Sequence, residues 1–392
     1  MGSIGVIGVG RLGICTALVL EKAGYNVVCY DVNPAIRDAI KTRILVTPEK
    51  GVTEMLAQAK NLHVVDTLDQ MLHLDTFFCV VATPSLPDGS YSHKYVDSVA
   101  DEMIAQFTKK QVSPKLLNIC CTTMPGYCDT LQKKFDDQNI PVNVCYNPEF
   151  IAQGDILNGF VRPDLLLIGE ANKECGDTLE EIYKNLVVSQ PHICRMKRKE
   201  AEITKISINC FITTKISFAN TIGDLCVHEG LNPDRVLAAI GSDSRIGRKY
   251  LNWGHGYGGP CFPRDNRALC FYSKGQEIQN RIGEATDATN ITHLDFIAQS
   301  LAELAKKTGK KLLFRDLAYK PGTTILEESQ TLALARKLEL DGFTIYVQEC
   351  PEIKKEVQQQ TPFQFLFVDT PVNLDEYLLV DAKLSCLREL IH

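Results

Sequence analysis

Short apolar runs alternate with amphipathic stretches over the N-terminal half of the chain. SIGVIGV, NVVCYDV, TFFCVVAT (Thr76 to Thr83), KLLNICCTT (Lys115 to Thr123), PVNVCYNP and DLLLIGE are nearly continuous apolar runs of strand length. Between the first two, LGICTALVLEKAG has helical spacing. Strands that are apolar on both faces are covered on both faces, so this pattern predicts an α/β fold with a parallel, doubly wound sheet.

From about Glu200 the period changes. AEITKISINCFITTKISFANTIGDLCVHEG keeps its apolar positions three and four apart, with no breaker before Gly223 and Gly230. One long helix is predicted. A single monomer rarely covers every side of such a helix, so it is also the expected dimer surface. A further helical stretch runs from Glu284 to Thr308, and α/β alternation then resumes with KKLLFRDLAY, ESQTLALARKLELDG, FTIYVQE and FQFLFVDT. The expected organisation is a Rossmann-type domain over 1–198, a central helical dimerisation region over 199–305, and a small Rossmann-like α/β domain over 306–392.

Composition narrows the classes of function. With 45% hydrophobic and 23% charged residues and a net charge of −6, the 392-residue chain advertises no basic face for nucleic acid. The basic run from Arg195 to Lys205 reads as a solvated helix start. No apolar run approaches the ~18 residues of a membrane helix, and MGSIGVIGVG lacks the charged start of a signal peptide. The fifteen cysteines are scattered, many within apolar runs (Cys29, Cys79, Cys120, Cys210), and no CxxC pair occurs. That usage suggests neither a disulfide framework nor a metal site, and fits a reducing, cytoplasmic compartment.

Two stretches carry candidate chemistry. VIGVGRLG places Gly8, Gly10 and Gly13 in G-x-G-x-x-G spacing between the first strand and the first helix, with Arg11 and Leu12 inside the turn. The first glycine permits the tight turn, the second lets backbone approach a pyrophosphate, and the third lets helix pack on strand. Asp31 ends the second strand, eighteen residues beyond Gly13. A carboxylate there accepts from ribose hydroxyls and repels a 2′-phosphate, which favours NAD over NADP. Thr83 and Thr123 sit at other strand ends, where open α/β sheets bind ligands. The second stretch is GYGGPCFPRDN, Gly256 to Asn266. Its glycines clear an approach to Cys261, and Arg264 and a helix start favour a thiolate. Locally, a buried cysteine near a turn fits the same letters equally well.

GYGGPCFPRDNRAL resembles the catalytic-cysteine signature of the UDP-glucose 6-dehydrogenase (nucleotide-sugar 6-dehydrogenase) family. GVIGVGRLG, TTMP, NPEFIAQG, AEITKISINCF, DSRIG and LAYKPGT resemble further family motifs in the same order, over roughly residues 3 to 330. The resemblance implies oxidation of a nucleotide-sugar C6 alcohol to a carboxylate with two NAD, through a cysteine thioester, UDP-glucose being the first expectation. UDP-N-acetylhexosamines and GDP-mannose remain alternatives, as does a catalytically impaired binder. By the same matching, Cys261 is the nucleophile, Lys205 and Asn209 hold an oxyanion from one helix face, and Glu149 is the general base. Thr123 and Asp265 position water. Gly8, Gly10, Arg11, Leu12, Gly13, Asp31, Thr83, Thr123 and Arg264 belong to the NAD site.

The substrate site inferred in this way comprises Glu149, Phe150, Ile151, Ala152 and Gln153 with Lys205 and Asn209. It continues with Tyr250, Leu251, Gly256, Tyr257 and Gly258, adds Lys320, and takes Arg245 from across a dimer interface. The implied assembly is a homodimer or a higher oligomer built on dimers, with no nucleic-acid or membrane partner. Three positions depart from the family pattern. Gln153 replaces a glutamate, Arg264 a lysine and Glu327 an arginine, and the last should weaken cofactor binding or alter domain closure.

Overall fold

The computed structural model describes residues 2–109, 113–151, 154–360, 363–368 and 373–388. The chain divides into two compact units, Met1–Ile206 and Ser207–His392.

The N-terminal unit is built on an eight-stranded sheet: β1 Ser3–Ile7, β2 Asn26–Tyr30, β3 Leu62–Val64, β4 Thr76–Cys79, β5 Lys115–Ile119, β6 Val142–Tyr146, β7 Leu165–Glu170 and β8 His192–Lys197. Their order is β3-β2-β1-β4-β5-β6-β7-β8. Side chains alternate between two cores, one on each face. Ile4 and Val6 of β1, Cys145 of β6 and Ile168 of β7 enter the first core; Ile7, Val144 and Leu167 enter the second. This period of two explains why the strands read as continuous apolar runs.

The sheet is not parallel throughout, as the sequence had implied. β6 and β7 pair antiparallel, Tyr146 against Gly169. Among the described residues between them, the only helix is the short Ile156–Val161. That helix rises about 9 Å, against the longer crossover helix that usually joins parallel strands. The basic run, read as a helix start, is one only from its fourth residue. Arg195 to Lys197 end the edge strand β8, and the long helix begins only at Arg198. The half-open side of an edge strand tolerates these polar residues, and Arg195 pairs there with Glu170 and Asp177.

The helix Arg198–His228 runs unbroken for 31 residues, beginning in the first unit and ending in the second. In the C-terminal unit, helices Pro233–Ser242, Phe262–Gly275 and Arg281–Thr308 precede a four-stranded sheet. Its strands β9 Lys311–Phe314, β10 Ile345–Val347, β11 Leu366–Phe367 and β12 Tyr377–Val380 follow the order β11-β10-β9-β12, all pairs parallel. Trp253, Leu301, Phe314 and Leu334 anchor its core. Among the described residues no helix is long and apolar enough to cross a membrane.

Candidate active site

In the N-terminal unit the candidate residues gather where strands end. Gly8 follows β1 with φ +86°, and its amide donates to the Tyr30 carbonyl at 2.8 Å. A Cβ on Gly13 would stand 1.8 Å from the Gly8 carbonyl oxygen, so only glycine lets the helix Arg11–Lys22 approach the strand so closely. At Gly10 a Cβ would meet nothing within 4 Å, which leaves open space over the helix N-terminus. Asp31 is buried. Its carboxylate accepts from the Val9 amide and the Asn33 amide, both at 2.9 Å, and so ties β2 to the glycine turn. The turn, the exposed amide end and a carboxylate with remaining lone pairs fit a dinucleotide. Arg11 is exposed and Leu12 half-buried beside this space.

Thr83 and Thr123 are buried, and their hydroxyls already have acceptors. Thr83 donates to the Thr122 carbonyl at 2.7 Å, and Thr123 donates to Glu202 at 2.9 Å. Glu202, one turn before Lys205, also accepts from the Gly126 amide at 2.5 Å and the Cys128 amide at 2.9 Å. One carboxylate thus caps the helix Tyr127–Asp136 from outside and fixes the whole TTMPG turn. On the other side of that turn His93 stacks on Tyr127 at 3.7 Å and accepts from the Met124 amide through Nε2 at 3.1 Å. Burial lowers His93 to about 4, so it stays neutral and keeps that acceptor.

Glu149 follows β6 and is half-buried, with its carboxyl group enclosed. Desolvation raises it from the ordinary 4.5 to about 7, although a hydrogen bond from Tyr183 and the charge of Lys205 both act to lower it. A carboxyl tuned to neutrality suits a general base. Lys205 is buried, with its ammonium 4.6 Å from the centre of the Phe150 ring. Phe150 and Ile151 are half-buried; Ala152 and Gln153 lie outside the described residues.

In the C-terminal unit Cys261 is exposed and forms the N-cap of the helix Phe262–Gly275. The aligned amide dipoles of a helix start favour negative charge there. Asp265, one turn on and buried, accepts from Asn209 Nδ2 at 2.6 Å and pairs with Arg264 at 3.5 Å. Lys205 and Asn209 sit one turn apart on the long helix, as their spacing requires.

The remaining substrate candidates vary in setting. Tyr257 is buried: its hydroxyl donates to Asp287 at 2.5 Å, and its backbone exchanges two hydrogen bonds with the Asn290 amide at 2.9 and 3.0 Å. A Cβ on Gly256 would come within 2.2 Å of that Asn290, and one on Gly258 within 2.2 Å of the Glu328 carbonyl. Leu251 is packed in the core. Tyr250, with φ +61°, Lys320 and Arg245 are exposed, Arg245 pairing with Asp243 at 2.7 Å.

Sequence reasoning missed Glu202, Tyr183, His93 and Asn290. Glu202 lies inside the AEITK motif, three residues from Lys205, but a carboxylate on a helix ordinarily reads as a solvated face. Tyr183 is far from every motif and offered no local signal.

Residues 2–187 match the model of the UDP-glucose/GDP-mannose dehydrogenase family NAD binding domain, and residues 199–292 match that family's central domain. A UDP-glucose 6-dehydrogenase of Rickettsia bellii is 30% identical over 381 residues, covering 95% of this chain and 86% of that protein. One from Pseudomonas aeruginosa is 29% identical over 348 residues, covering 87% and 77%. Among solved structures, a UDP-glucose dehydrogenase from the hyperthermophilic archaeon Pyrobaculum islandicum superimposes with a TM-score of 0.87 at 28% identity, over 99% of this chain and 96% of that one. A UDP-D-ManNAc dehydrogenase from Pyrococcus horikoshii shares the fold, with a TM-score of 0.79 at 20% identity over 98% and 95%.

Proposed function

Because this chain belongs to the UDP-glucose/GDP-mannose dehydrogenase family, whose members are NAD-dependent oxidoreductases of nucleotide sugars, we propose that it oxidises the C6 alcohol of UDP-glucose to the carboxylate of UDP-glucuronate through a thioester on Cys261. The observation that carries this reading is an exposed thiol at a helix N-cap, one turn before a buried Asp265 paired with Asn209. The names of the relatives favour UDP-glucose among nucleotide sugars.

Bound NAD supplies the hydride acceptor for each of two oxidations. The chain's own residues do the rest. The Cys261 sulfur adds to the aldehyde carbon, and the carbonyl oxygen takes negative charge, which Lys205 and Asn209 stabilise. Loss of hydride from that adduct leaves a thioester. Glu149 takes a proton from water as its oxygen bonds to the thioester carbon. The C–S bond then breaks, Cys261 leaves as thiolate, and the carboxylic acid so formed gives its remaining proton to solvent, so that the sugar carries a carboxylate. Asp265 holds Asn209 in place. Thr123 contributes by fixing the turn through Glu202, because its hydroxyl proton is already committed.

A dimer built on the long helix belongs to the same proposal. Phe211, Phe218 and Leu225 are exposed at seven-residue intervals along it, an apolar stripe suited to a second helix. Arg245 would serve the site from the partner subunit.

A panel of UDP- and GDP-sugars, scored by NADH formed per sugar, tests the reading. Two NADH per UDP-glucose are expected, with release of the acid abolished in Cys261→Ser. Absence of turnover with every nucleotide sugar would overturn it, and preference for a GDP- or N-acetylated sugar would reassign the substrate.

A further inference from the structure

Behind Glu149 lies a run of buried polar groups that the proposed reaction does not use. Tyr183, on the helix Lys173–Leu186, points its hydroxyl at two acceptors: Asn147 Oδ1 at 2.6 Å and Glu149 Oε1 at 3.0 Å. Asn118, on β5, donates to the same Asn147 Oδ1 at 3.3 Å, and Asn147 Nδ2 is fixed on the Leu167 carbonyl at 2.8 Å. Tyr183, Asn118 and Asn147 are all buried, so water does not compete for these groups.

A tyrosine hydroxyl has one proton and cannot serve two acceptors at once. With Glu149 ionised, the carboxylate is the stronger acceptor and the tyrosine proton points to it, while Asn147 keeps its bond from Asn118. With Glu149 protonated, the carboxyl becomes a donor to the tyrosine oxygen, and the tyrosine proton turns to Asn147. Each protonation state of Glu149 therefore has its own satisfied arrangement, differing in the direction of one O–H bond.

We propose that Tyr183 is a positioning residue acting through Glu149, its hydroxyl turning between Glu149 and Asn147 as the carboxyl loses and gains a proton. The inference rests on Glu149 serving as the general base of the proposed reaction. The proton taken from water stays on Glu149; Tyr183 keeps its own, and no charge passes to Asn147. Other groups face Glu149 as well. The Lys205 ammonium, on the long helix, favours the ionised form, and Cys120, just beyond β5, is held neutral by burial. Burial also pushes the Tyr183 phenol well above its ordinary range, so it turns rather than ionises.

The two sides of this switch give opposite expectations. Tyr183→Phe removes the donor to the ionised carboxyl, and because a hydrogen bond to a charge is worth more than a neutral one, the Glu149 midpoint should rise by about one pH unit, a tenfold change in the equilibrium. Asn147→Ala removes the acceptor to which Tyr183 turns only when Glu149 is protonated, and the midpoint should fall. Infrared pH titration reads the midpoint directly, from the protonated-carboxyl band that Glu149→Gln deletes. The pH–rate profile of NADH formation reads it in turnover. Opposite shifts support the proposal; unmoved midpoints, or shifts of one sign in both variants, overturn it. Should the unaltered protein turn over no nucleotide sugar, the activity reading fails while the infrared midpoints still judge the switch. Normal turnover with unmoved midpoints sinks the switch alone.

Discussion

Glu202→Gln should destabilise the N-terminal unit by about 2 kcal/mol. In the native protein Oε1 accepts from Thr123 Oγ and the Cys128 amide, both at 2.9 Å, and Oε2 accepts from the Gly126 amide at 2.5 Å. Glutamine keeps one oxygen for the first two donors but turns an NH2 group on Gly126, donor against donor. One hydrogen bond to a charged group is lost, ~1.5–3 kcal/mol, and a half-buried amide is left unsatisfied, at the lower end of ~1–3 kcal/mol. Against this stands the cost of burying the carboxylate. Burial raises the Glu202 carboxyl despite hydrogen bonds from Cys128, Gly126 and Thr123, so a neutral amide recovers part of that cost. A net of about 2 kcal/mol in a unit of this size corresponds to about 4–8 °C in unfolding temperature. Calorimetry at neutral pH, paired with hydrogen exchange at the Cys128 amide, measures both the global and the local effect. An unfolding temperature equal to or above that of the native protein would refute the reasoning, because desolvation of the charge would then outweigh the cap it provides.

Three further outcomes are expected. Since the Glu149 carboxyl stands at about 7 rather than 4.5, turnover should rise with pH through about 7. By the same linkage its contribution to stability is fully present below about 4.5 and is lost as pH rises through about 7; Glu149→Gln should remove both dependences, as read by pH–rate profiles and urea titrations. Gly13→Ala drives a Cβ to 1.8 Å from the Gly8 carbonyl oxygen, backbone that cannot yield, so NAD affinity by calorimetry should fall by about 100-fold or more, and an unchanged affinity would contradict the turn geometry. Phe218→Glu puts a charge in the middle of the exposed helix stripe and should leave a monomer in sedimentation at concentrations where the native protein is dimeric; a monomer in both cases would remove that face from the proposal.

The local grammar of this chain was readable because period and punctuation agree. Apolar runs of strand length alternate with helical spacing, and the glycine turn falls between the strand Ser3–Ile7 and the helix Arg11–Lys22. The long helix announced itself by unbroken periodicity. What escaped depended on pairings that have no local trace. The antiparallel meeting of β6 and β7 is a matter of strand direction, which apolar content does not encode. Glu202 looks like any solvated helical glutamate until the TTMPG turn is folded against it. Tyr183 lies 34 positions from Glu149 and shares no motif with it. Motif matching names the groups that would touch a substrate; those that hold them are scattered through the core, where a hydroxyl or carboxylate is recognised only by its partners.

The distribution of thiols has a consequence for how this protein fails. Most of its fifteen cysteines are buried, and burial alone holds Cys29, for one, up at about 12. Thiols raised in this way, Cys29, Cys79 and Cys120 among them, stay protonated near neutral pH and react slowly with peroxides and alkylating agents. Cys261, by contrast, stands exposed at a helix start, with Cys350 the other exposed thiol among the described residues. On the role proposed for Cys261, chemical stress should therefore silence catalysis while the fold is still intact, leaving a poisoned but well-folded protein that no heat-shock surveillance of exposed cores would recognise.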